Sequence, residues 1–552
     1  MITQSLRPTA FLWMVIFVLG LTLSSKAQYV FKDSADYKVD VIYGEVFKSP
    51  DKQLFFLNPI GNSGFNYYKR KRKAYLERID LSSLKVLRKR ELDPENYGEK
   101  AITLSLGTFN GKINWTIRVF SEEKVLSLII RQVIDPLSLE NEGVADTLFS
   151  VNASRVNGKT YYGSIIHRTS KDQGSQVFIV RVPYEEGDDY VPLRILAFDS
   201  SMNLIWERRK EFPFSPERTF FSSFHLFKKD LGLLVYGVES NDNKQEKQKY
   251  RPPHDLHFLF IGPSEETSSQ MVLPSEGSYL RNYVFNLKND TLHGMVSYGG
   301  PDPMSDEGFI GFRYQIEKGE LIDLKYLSDL YIDIIKSVPE DYREEYFKRV
   351  AVENGNIQGF FPQRLYYSTK NQHYTLAVQT RYDHWIDGNR VNGNQITAPK
   401  VMNHWGDYHY ILISKDWELL KTNRVPFFLS TLDKLFSRIF FSANENENTV
   451  VIYQYPAVLS NSKLREDSMD YSITDYLKYG SRIGVVVFEG EQNPKRIELR
   501  PSDKFKHVIL DSDSVTQIGP YKYILLVKKG SKSFYMLITL DSASLDHQIQ
   551  IE

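Results

Sequence analysis

Cysteine is absent from the 552-residue chain, so the protein can form no disulfide bond and no cysteine-ligated metal site. Neither sign of charge dominates, because 69 Lys and Arg residues stand against 69 Asp and Glu residues. A balanced charge gives no overall field that would favour nucleic acid or an anionic membrane. After the N-terminal segment no apolar run reaches the length of about 20 residues that a membrane-spanning helix needs. These absences exclude a disulfide-stabilised scaffold and argue against a nucleic-acid-binding or integral membrane protein.

The N-terminus has the order of residues that is typical of a secretory signal peptide. Arg7 precedes the apolar run Ala10–Leu23, and the small residues of "SSKA" follow at the spacing that signal peptidase recognises. We therefore expect residues 1–27 to be removed and residues 28–552 to be extracytoplasmic, in the periplasm or associated with the outer membrane. An uncleaved anchor is the alternative, since signal peptides and short anchors overlap in length.

Aromatic residues are abundant: the chain has 35 Tyr and 34 Phe, residue types that favour half-buried strand surfaces. Most of the sequence alternates apolar and polar residues in short runs separated by turn residues. One hairpin-like unit recurs, with an apolar strand, a polar turn and a second strand that often ends in charged residues. Its clearest copies begin at Ala74, Leu193, Phe309 and Tyr408, and weaker copies begin at Leu126, Leu256, Ile483 and Phe534.

The spacing of the copies leaves room for two further strands in each repeat. This pattern predicts an all-β fold, a β-propeller of about eight four-stranded blades, with seven as the alternative number. A ring suits such sheets because each sheet packs on its neighbours and closure protects the edges. Stacked β-sandwich domains are the alternative architecture. Four consecutive strands, from "DVIYGEVF" to "KVLRKREL", predict a first blade that is complete in itself. We therefore expect closure by packing of the first blade on the last, not by a shared strand.

Three segments depart from the strand pattern. Residues 327–353 have helical spacing and predict a helical insertion between the fifth and sixth blades. Residues 239–255 and 460–480 are polar and lack periodicity, which is typical of exposed loops. Long loops of a propeller usually lie on one face, and binding sites tend to collect there. We therefore expect the insertion and the long loops to form the ligand surface.

A fourth stretch, residues 383–410, contains two His-Trp pairs. The first pair ends a leaving strand that is predicted to run through Trp385, and the second lies just before a returning strand that is predicted to begin at Asp407. Six of its residues are candidates for ligand binding: His384, Trp385, Asp387, His404, Trp405 and Asp407. The flat tryptophan faces suit a sugar or another amphipathic ligand. Imidazole and carboxylate groups can hold a divalent ion, but the spacing matches no metal motif, and we predict neither a metal nor a cofactor. The alternative is that the pairs only cover the base of a loop by stacking.

Two stretches carry a resemblance to known proteins. "FDSSMNLIWERR" and "YTLAVQTRYDHW…YHYILISKDWELLKTNRVP" resemble secreted bacterial proteins built from irregular propeller blades. The likeness is one of pattern and implies a propeller fold, but it implies no characterised activity. Signatures of the WD and kelch repeats are absent from the sequence.

Two functions remain open. The favoured one is a non-catalytic binding or scaffold module whose partners are proteins of the cell envelope. The alternative is a polysaccharide-binding or polysaccharide-cleaving protein with its site on the loop-rich face. An enzyme requires several carboxylates or histidines to converge at one mouth of the channel. A scaffold requires an apolar or aromatic contact surface instead.

Overall fold

The computed structural model describes the chain between residues 39 and 540, with gaps. The described residues are 39–48, 54–70, 73–156, 159–169, 175–181, 191–212, 219–228, 231–239, 253–264, 269–300, 305–336, 357–358, 360–386, 390–391, 394–395, 400–425, 429–431, 441–445, 448–456, 471–472, 481–489, 494–499, 509–519, 521–529 and 532–540.

Almost all of these residues lie in strands or in the turns that join them. The strands are β1 (Val39–Lys48), β2 (Leu54–Ile60), β3 (Ser63–Arg70), β4 (Lys73–Asp80), β5 (Val86–Leu92), β6 (Ala101–Phe109), β7 (Lys112–Ser121), β8 (Leu126–Ile134), β9 (Asn141–Val156), β10 (Lys159–Tyr162), β11 (Ser164–Thr169), β12 (Ser175–Arg181), β13 (Val191–Asp199), β14 (Leu204–Phe212), β15 (Thr219–Lys228), β16 (Leu231–Glu239), β17 (His254–Ile261), β18 (Gln270–Leu273), β19 (Tyr279–Lys288), β20 (Thr291–Gly299), β21 (Ser305–Gln315), β22 (Glu320–Leu327), β23 (Ile357–Gln358), β24 (Phe360–Ser368), β25 (His373–Ile386), β26 (Arg390–Val391), β27 (Asn394–Gln395), β28 (Lys400–Ser414), β29 (Leu419–Val425), β30 (Leu429–Thr431), β31 (Phe441–Glu445), β32 (Asn448–Pro456), β33 (Tyr471–Ser472), β34 (Ser481–Glu489), β35 (Lys495–Leu499), β36 (Ile509–Gly519), β37 (Lys522–Lys529) and β38 (Lys532–Leu540). A 3-10 helix spans Pro94–Tyr97, and one α-helix, α1, spans Ser328–Lys336.

The strand pairing confirms the predicted propeller of four-stranded blades. Eight sheets with four or more strands follow one another along the described chain, and the principal strands of each are antiparallel. We call them blades 1 to 8 in chain order. The four principal strands are β2–β5 in blade 1, β6–β9 in blade 2, β11–β14 in blade 3, β15–β18 in blade 4 and β19–β22 in blade 5. They are β24, β25, β28 and β29 in blade 6, β31, β32, β34 and β35 in blade 7, and β36–β38 with β1 in blade 8. The first strands of neighbouring blades contact one another, as β2 contacts both β6 and β36, so these strands surround the axis.

The hydrophobic core lies between the blades, because each sheet buries its apolar residues against the next sheet. Phe149 of blade 2 meets Phe178 of blade 3 with ring centroids 5.2 Å apart. Tyr410 of blade 6 stacks on Phe488 of blade 7 with ring centroids 4.3 Å apart. Further clusters join blades 1 and 2, 3 and 4, 4 and 5, 5 and 6, and 8 and 1. Asn448 of blade 7 donates to Tyr521 at 3.4 Å and connects that blade to blade 8.

Ring closure differs from the prediction. β1, which contains "DVIYGEVF", does not belong to the first blade but pairs with β38 as the fourth strand of blade 8. The ladder runs from the pair Val39 and Leu540 to the pair Lys48 and Lys532. The prediction of closure without a shared strand is therefore wrong. Blade 1 instead contains β3, "SGFNYYKR", which the sequence pattern did not single out. A shared strand holds the ring by backbone hydrogen bonds in addition to apolar packing.

The recurring hairpin has a physical explanation in the turn between the third and fourth strands. In four blades this turn begins with an Asp or Ser whose side chain accepts a backbone N–H two or three residues on. An apolar residue then adopts positive φ and is buried against the preceding blade: Leu84 (φ 54°), Leu139 (φ 57°), Met202 (φ 65°) and Trp417 (φ 66°). Each turn thus fastens its blade to the one before it.

The charged residues that end many copies lie on the fourth strand, at the outer edge of the blade. β5 reads "VLRKREL" and β14 reads "LIWERRKEF", and Arg88 and Arg209 are exposed. A free sheet edge can pair with another chain, and exposed charge on the edge opposes that pairing. The charged runs therefore protect the rim of the ring against aggregation.

The predicted helical insertion between blades 5 and 6 is confirmed for α1. Leu330 and Ile334 are one turn apart, are 5% and 0% exposed, and join the cluster between blades 5 and 6. Ile332 lies on the opposite side and is 45% exposed. The second helix predicted after Pro339 falls outside the described residues.

Candidate functional site

The order of strands in each blade gives the ring two unlike faces. Successive strands of an antiparallel meander run in opposite directions, so consecutive connections alternate between the two ends of the sheet. Connections between strands 1 and 2 and between strands 3 and 4 share one face, which we call the short-turn face. Connections between strands 2 and 3 and between neighbouring blades share the other face, which we call the long-loop face.

The long segments begin and end on the long-loop face. Residues 240–253 join strands 2 and 3 of blade 4, and residues 457–480 join strands 2 and 3 of blade 7. Residues 328–359, which include α1, join blades 5 and 6. Residues 387–399 join strands 2 and 3 of blade 6. The strand ends from which the predicted loops leave therefore share one face, as expected, while most of the loop interiors fall outside the described residues.

The stretch with the two His-Trp pairs is a strand ladder in which the leaving strand ends as predicted, while the returning strand begins at Lys400 and not at Asp407. β25 pairs with β28 from His373 and Ser414 as far as Ile386 and Lys400. β24 accompanies β25 only to Thr380, and β29 accompanies β28 only from Tyr408. Beyond these points the pair continues without the other two strands of its blade, and we call residues 381–386 and 400–405 the arm. At about 3.4 Å per residue the arm extends roughly 20 Å beyond its blade.

The register shows which candidate residues the arm brings together. His404 pairs with Tyr382 and His384 pairs with Met402, so the two histidines stand two ladder positions apart, or about 7 Å. Trp405 pairs with Arg381 and Trp385 with Val401, which places the tryptophans four positions apart, or about 14 Å. Asp387 falls outside the described residues.

Two short strands from other segments extend the arm into a wider sheet. β30, in the connection between blades 6 and 7, pairs with β28 at Asn403, His404 and Trp405. β33, in the long connection of blade 7, pairs in parallel with β30. Three separate long segments of the long-loop face are thus joined by backbone hydrogen bonds into one sheet.

Asp407 is the candidate whose side chain the structure describes, and it lies at the base of the arm. It is 3% exposed and accepts a hydrogen bond from Arg424 Nε. The neighbouring His409 is fully buried, and burial lowers its pKa to about 4, so the imidazole is neutral at pH 7. This ion pair joins β28 to β29 at the point where the two arm strands leave the blade. The ligand-binding role of the six candidates stays a prediction.

A buried ionic cluster lies at the junction of blades 5 and 6, and no sequence pattern predicted it. Asp306, at the start of β21, is 0% exposed and lies 3.0 Å from Arg281 Nη1. Its second oxygen accepts the backbone N–H of Phe360, the first residue of blade 6. Arg281 also donates to the Gly300 carbonyl at 2.7 Å. Burial raises the pKa of Asp306 to about 6, although Arg281 and the Phe360 N–H act in the opposite direction.

Neither a metal cluster nor a membrane helix occurs in the described part of the chain. No three His, Asp or Glu side chains there are arranged so that they could hold a metal ion. None of the helices in the described ranges has the length and apolar character needed to cross a bilayer.

Comparison with known proteins gave structural likenesses only. No protein-family model matches the sequence, and no curated protein matches it. The WD40 domain of SCAP from fission yeast is 9% identical with a TM-score of 0.36, over 91% of this chain and 98% of that one. The Dos1 propeller is 8% identical with a TM-score of 0.40, over 90% and 94%. The polysaccharide lyase Uly1 is 11% identical with a TM-score of 0.34, over 95% of each chain. At these scores the likenesses do not bear on function, and the fold rests on the strand pairing described above.

Proposed function

We propose that the chain is an extracytoplasmic β-propeller that acts as a non-catalytic binding or scaffold module for a protein complex of the cell envelope. The contact surface is the long-loop face, and the arm is its main element. The observation that carries the proposal is the joining of the arm, β30 and β33 into one sheet. The signal-peptide pattern of residues 1–27 supports the location.

A paired arm is suited to protein recognition for entropic reasons. Ordering a flexible loop on binding costs about 1 to 2 kcal/mol per residue, whereas the arm strands are already ordered by their ladder. β33 is the last strand in the order of this sheet. A strand at a sheet edge can accept an extended segment of a partner protein by adding one more strand. The ring supplies a rigid support for this surface.

The test removes the arm and leaves the blade. Residues 381–406 are replaced by Asn-Gly, a dipeptide that closes antiparallel hairpins, so that Thr380 is joined to Asp407 through a tight turn. In the matched control, Asn-Gly replaces residues 240–253, which connect the paired residues Glu239 and His254 of blade 4 on the same face. Each chain is crosslinked in cells, purified and examined for recovered envelope proteins, and N-terminal sequencing checks for a mature chain that starts at residue 28.

We expect the unaltered chain and the blade 4 control to recover the same envelope protein and the arm variant to lose it. Recovery of that protein by all three chains would contradict the role of the arm. Recovery of glycan fragments in place of a protein, lost together with the arm, would favour the polysaccharide-binding alternative.

A further inference from the structure

Arg118, near the end of β7, is a buried cation in the interface between blades 2 and 3. The residue is 6% exposed, and its neighbours in the strand, Ile117 and Trp115, belong to the core between blades 1 and 2. Because side chains alternate along a strand, Arg118 faces the other way, toward blade 3. It lies close to the turn of residues 122–125, which belongs to the long-loop face.

The contacts of Arg118 leave part of its guanidinium without a partner. Nε donates to Ser127 Oγ at 3.0 Å, and Cζ lies 4.9 Å from the centre of the Phe120 ring. Nη2 is buried and has no hydrogen-bond partner among the described residues. Burial lowers the pKa of Arg118 to about 10, which still leaves the group charged at pH 7.

A second buried donor adjoins this group. Tyr162, on β10, packs edge-on against Phe120 with ring centroids 4.7 Å apart. Its hydroxyl is buried and has no hydrogen-bond partner among the described residues. The nearby carboxylate of Glu122 is engaged by Lys100 at 2.5 Å, at the exposed edge of the blade. Phe120 and Tyr162 are only half-buried. The two donors without a partner, Arg118 Nη2 and the Tyr162 hydroxyl, therefore lie one side chain below the surface.

Four other arginines of the described blades differ from Arg118 in having a carboxylate partner. The pairs are Arg194 with Glu207, Arg281 with Asp306, Arg313 with Asp323, and Arg424 with Asp407. A buried charge without a counter-ion is strongly unfavourable. Arg118 and Tyr162 both pack against Phe120. A guanidinium edge and a phenolic hydroxyl can each donate to an oxygen of a carboxylate.

We propose that Arg118 and Tyr162 form a binding site for a small carboxylate anion between blades 2 and 3. Arg118 Nη2 and the Tyr162 hydroxyl donate to the carboxylate oxygens, and Ser127 holds the guanidinium in place. The site is separate from the arm and does not depend on the function proposed for it.

The test measures how anions shift thermal unfolding of the mature chain. The midpoint is recorded in increasing sodium acetate and in increasing sodium chloride at the same ionic strength, for the unaltered chain and for Arg118→Met. A ligand that binds only the folded state raises the midpoint in proportion to the logarithm of its concentration once the site fills. We expect acetate to raise the midpoint of the unaltered chain more than chloride does, and Arg118→Met to show no such difference.

Two further variants distinguish loss of the anion site from a general change in stability. Arg194→Met, which removes an arginine that already has a carboxylate partner, is expected to keep the acetate effect. Tyr162→Phe is expected to need several-fold more acetate for the same shift, because one donor is lost. Equal midpoints in acetate and chloride for the unaltered chain would overturn the proposal even if Arg118→Met failed to fold. An acetate effect that persists in Arg118→Met would overturn it as well.

Discussion

The two faces of the ring are built from different chemistry. On the short-turn face, four turns repeat one arrangement, in which a polar side chain caps the turn and an apolar residue at positive φ enters the preceding interface. On the long-loop face, long segments of unlike length leave the blades, and their ends are held by individual devices such as the Asp306 cluster and the arm. The short-turn face therefore fixes the spacing of the blades, whereas the long-loop face can vary without disturbing the ring.

The largest expected effect concerns a turn residue of the short-turn face. Trp417 stacks on Tyr374 with ring centroids 4.4 Å apart, and a Cβ on Gly311 would lie 2.6 Å from its ring. This close fit leaves no room for the interface to collapse around a smaller residue. We expect Trp417→Ala to lower the free energy of unfolding by about 3 to 5 kcal/mol, measured by chemical denaturation.

Leu420, three residues further on, is the matched control for Trp417. It is 47% exposed on the outer strand of the same blade. We expect Leu420→Ala to change stability by no more than about 0.5 kcal/mol. Equal losses in the two variants would show that the turn does not fasten blade 6 to blade 5.

An intermediate effect is expected at the Asp306 cluster of the long-loop face. Its pKa of about 6 in the folded chain exceeds the value of about 3.9 for an unfolded Asp. The folded state therefore binds a proton more tightly, and between about pH 4 and pH 6 stability falls as the pH rises. Above pH 6 this contribution is constant. The slope from one such group is at most about 1.4 kcal/mol per pH unit.

Asp306→Asn isolates this contribution. An Asn at this position retains an acceptor for the Phe360 N–H but does not titrate. We expect the difference in free energy of unfolding between the unaltered chain and Asp306→Asn to change with pH between about 4 and 6 and to level off above that range. Parallel profiles for the two chains across this range would show that Asp306 titrates at its ordinary pKa. Urea denaturation at a series of pH values provides the measurement.

The sequence was sufficient for the features that depend on local patterns. The alternation of residues and the repeated turn predicted the propeller, and the spacing of Leu330 and Ile334 predicted α1. β1 was assigned to the wrong blade because its alternation fits either edge equally well, and only tertiary pairing with β38 decides between them. The Asp306 cluster was missed because its partners are 25 and 54 residues away in the chain.

At the candidate site, too, local composition predicted some features and tertiary pairing decided the others. The sequence located the stretch of residues 383–410 on the loop-rich side of blade 6. The leaving strand was predicted to reach Trp385, as it does. The returning strand begins at Lys400, earlier than predicted, because turn residues between Asp387 and Pro399 suggested a loop as far as Asp407. The ladder of β25 with β28 extends to the pair Ile386 and Lys400, and the described residues between them form the short pair β26 and β27. Turn composition therefore overestimated the length of the loop, since residues 400–406 belong to β28.

Of the turn residue Trp417, the Asp306 cluster and the arm, the arm is expected to contribute least to global stability. Its strands make their ladder outside the blade, so the interfaces between blades do not depend on them. We expect replacement of residues 381–406 by Asn-Gly to change the free energy of unfolding by no more than about 1 kcal/mol, in contrast to the loss predicted for Trp417→Ala. Amide hydrogen exchange of the unaltered chain should show faster exchange in residues 381–386 than in residues 374–379 of the same strand, because the arm can open without the blade. Equal protection along the whole of β25 would instead mean that the arm and blade 6 unfold as one unit, and the long-loop face would then share in holding the ring together.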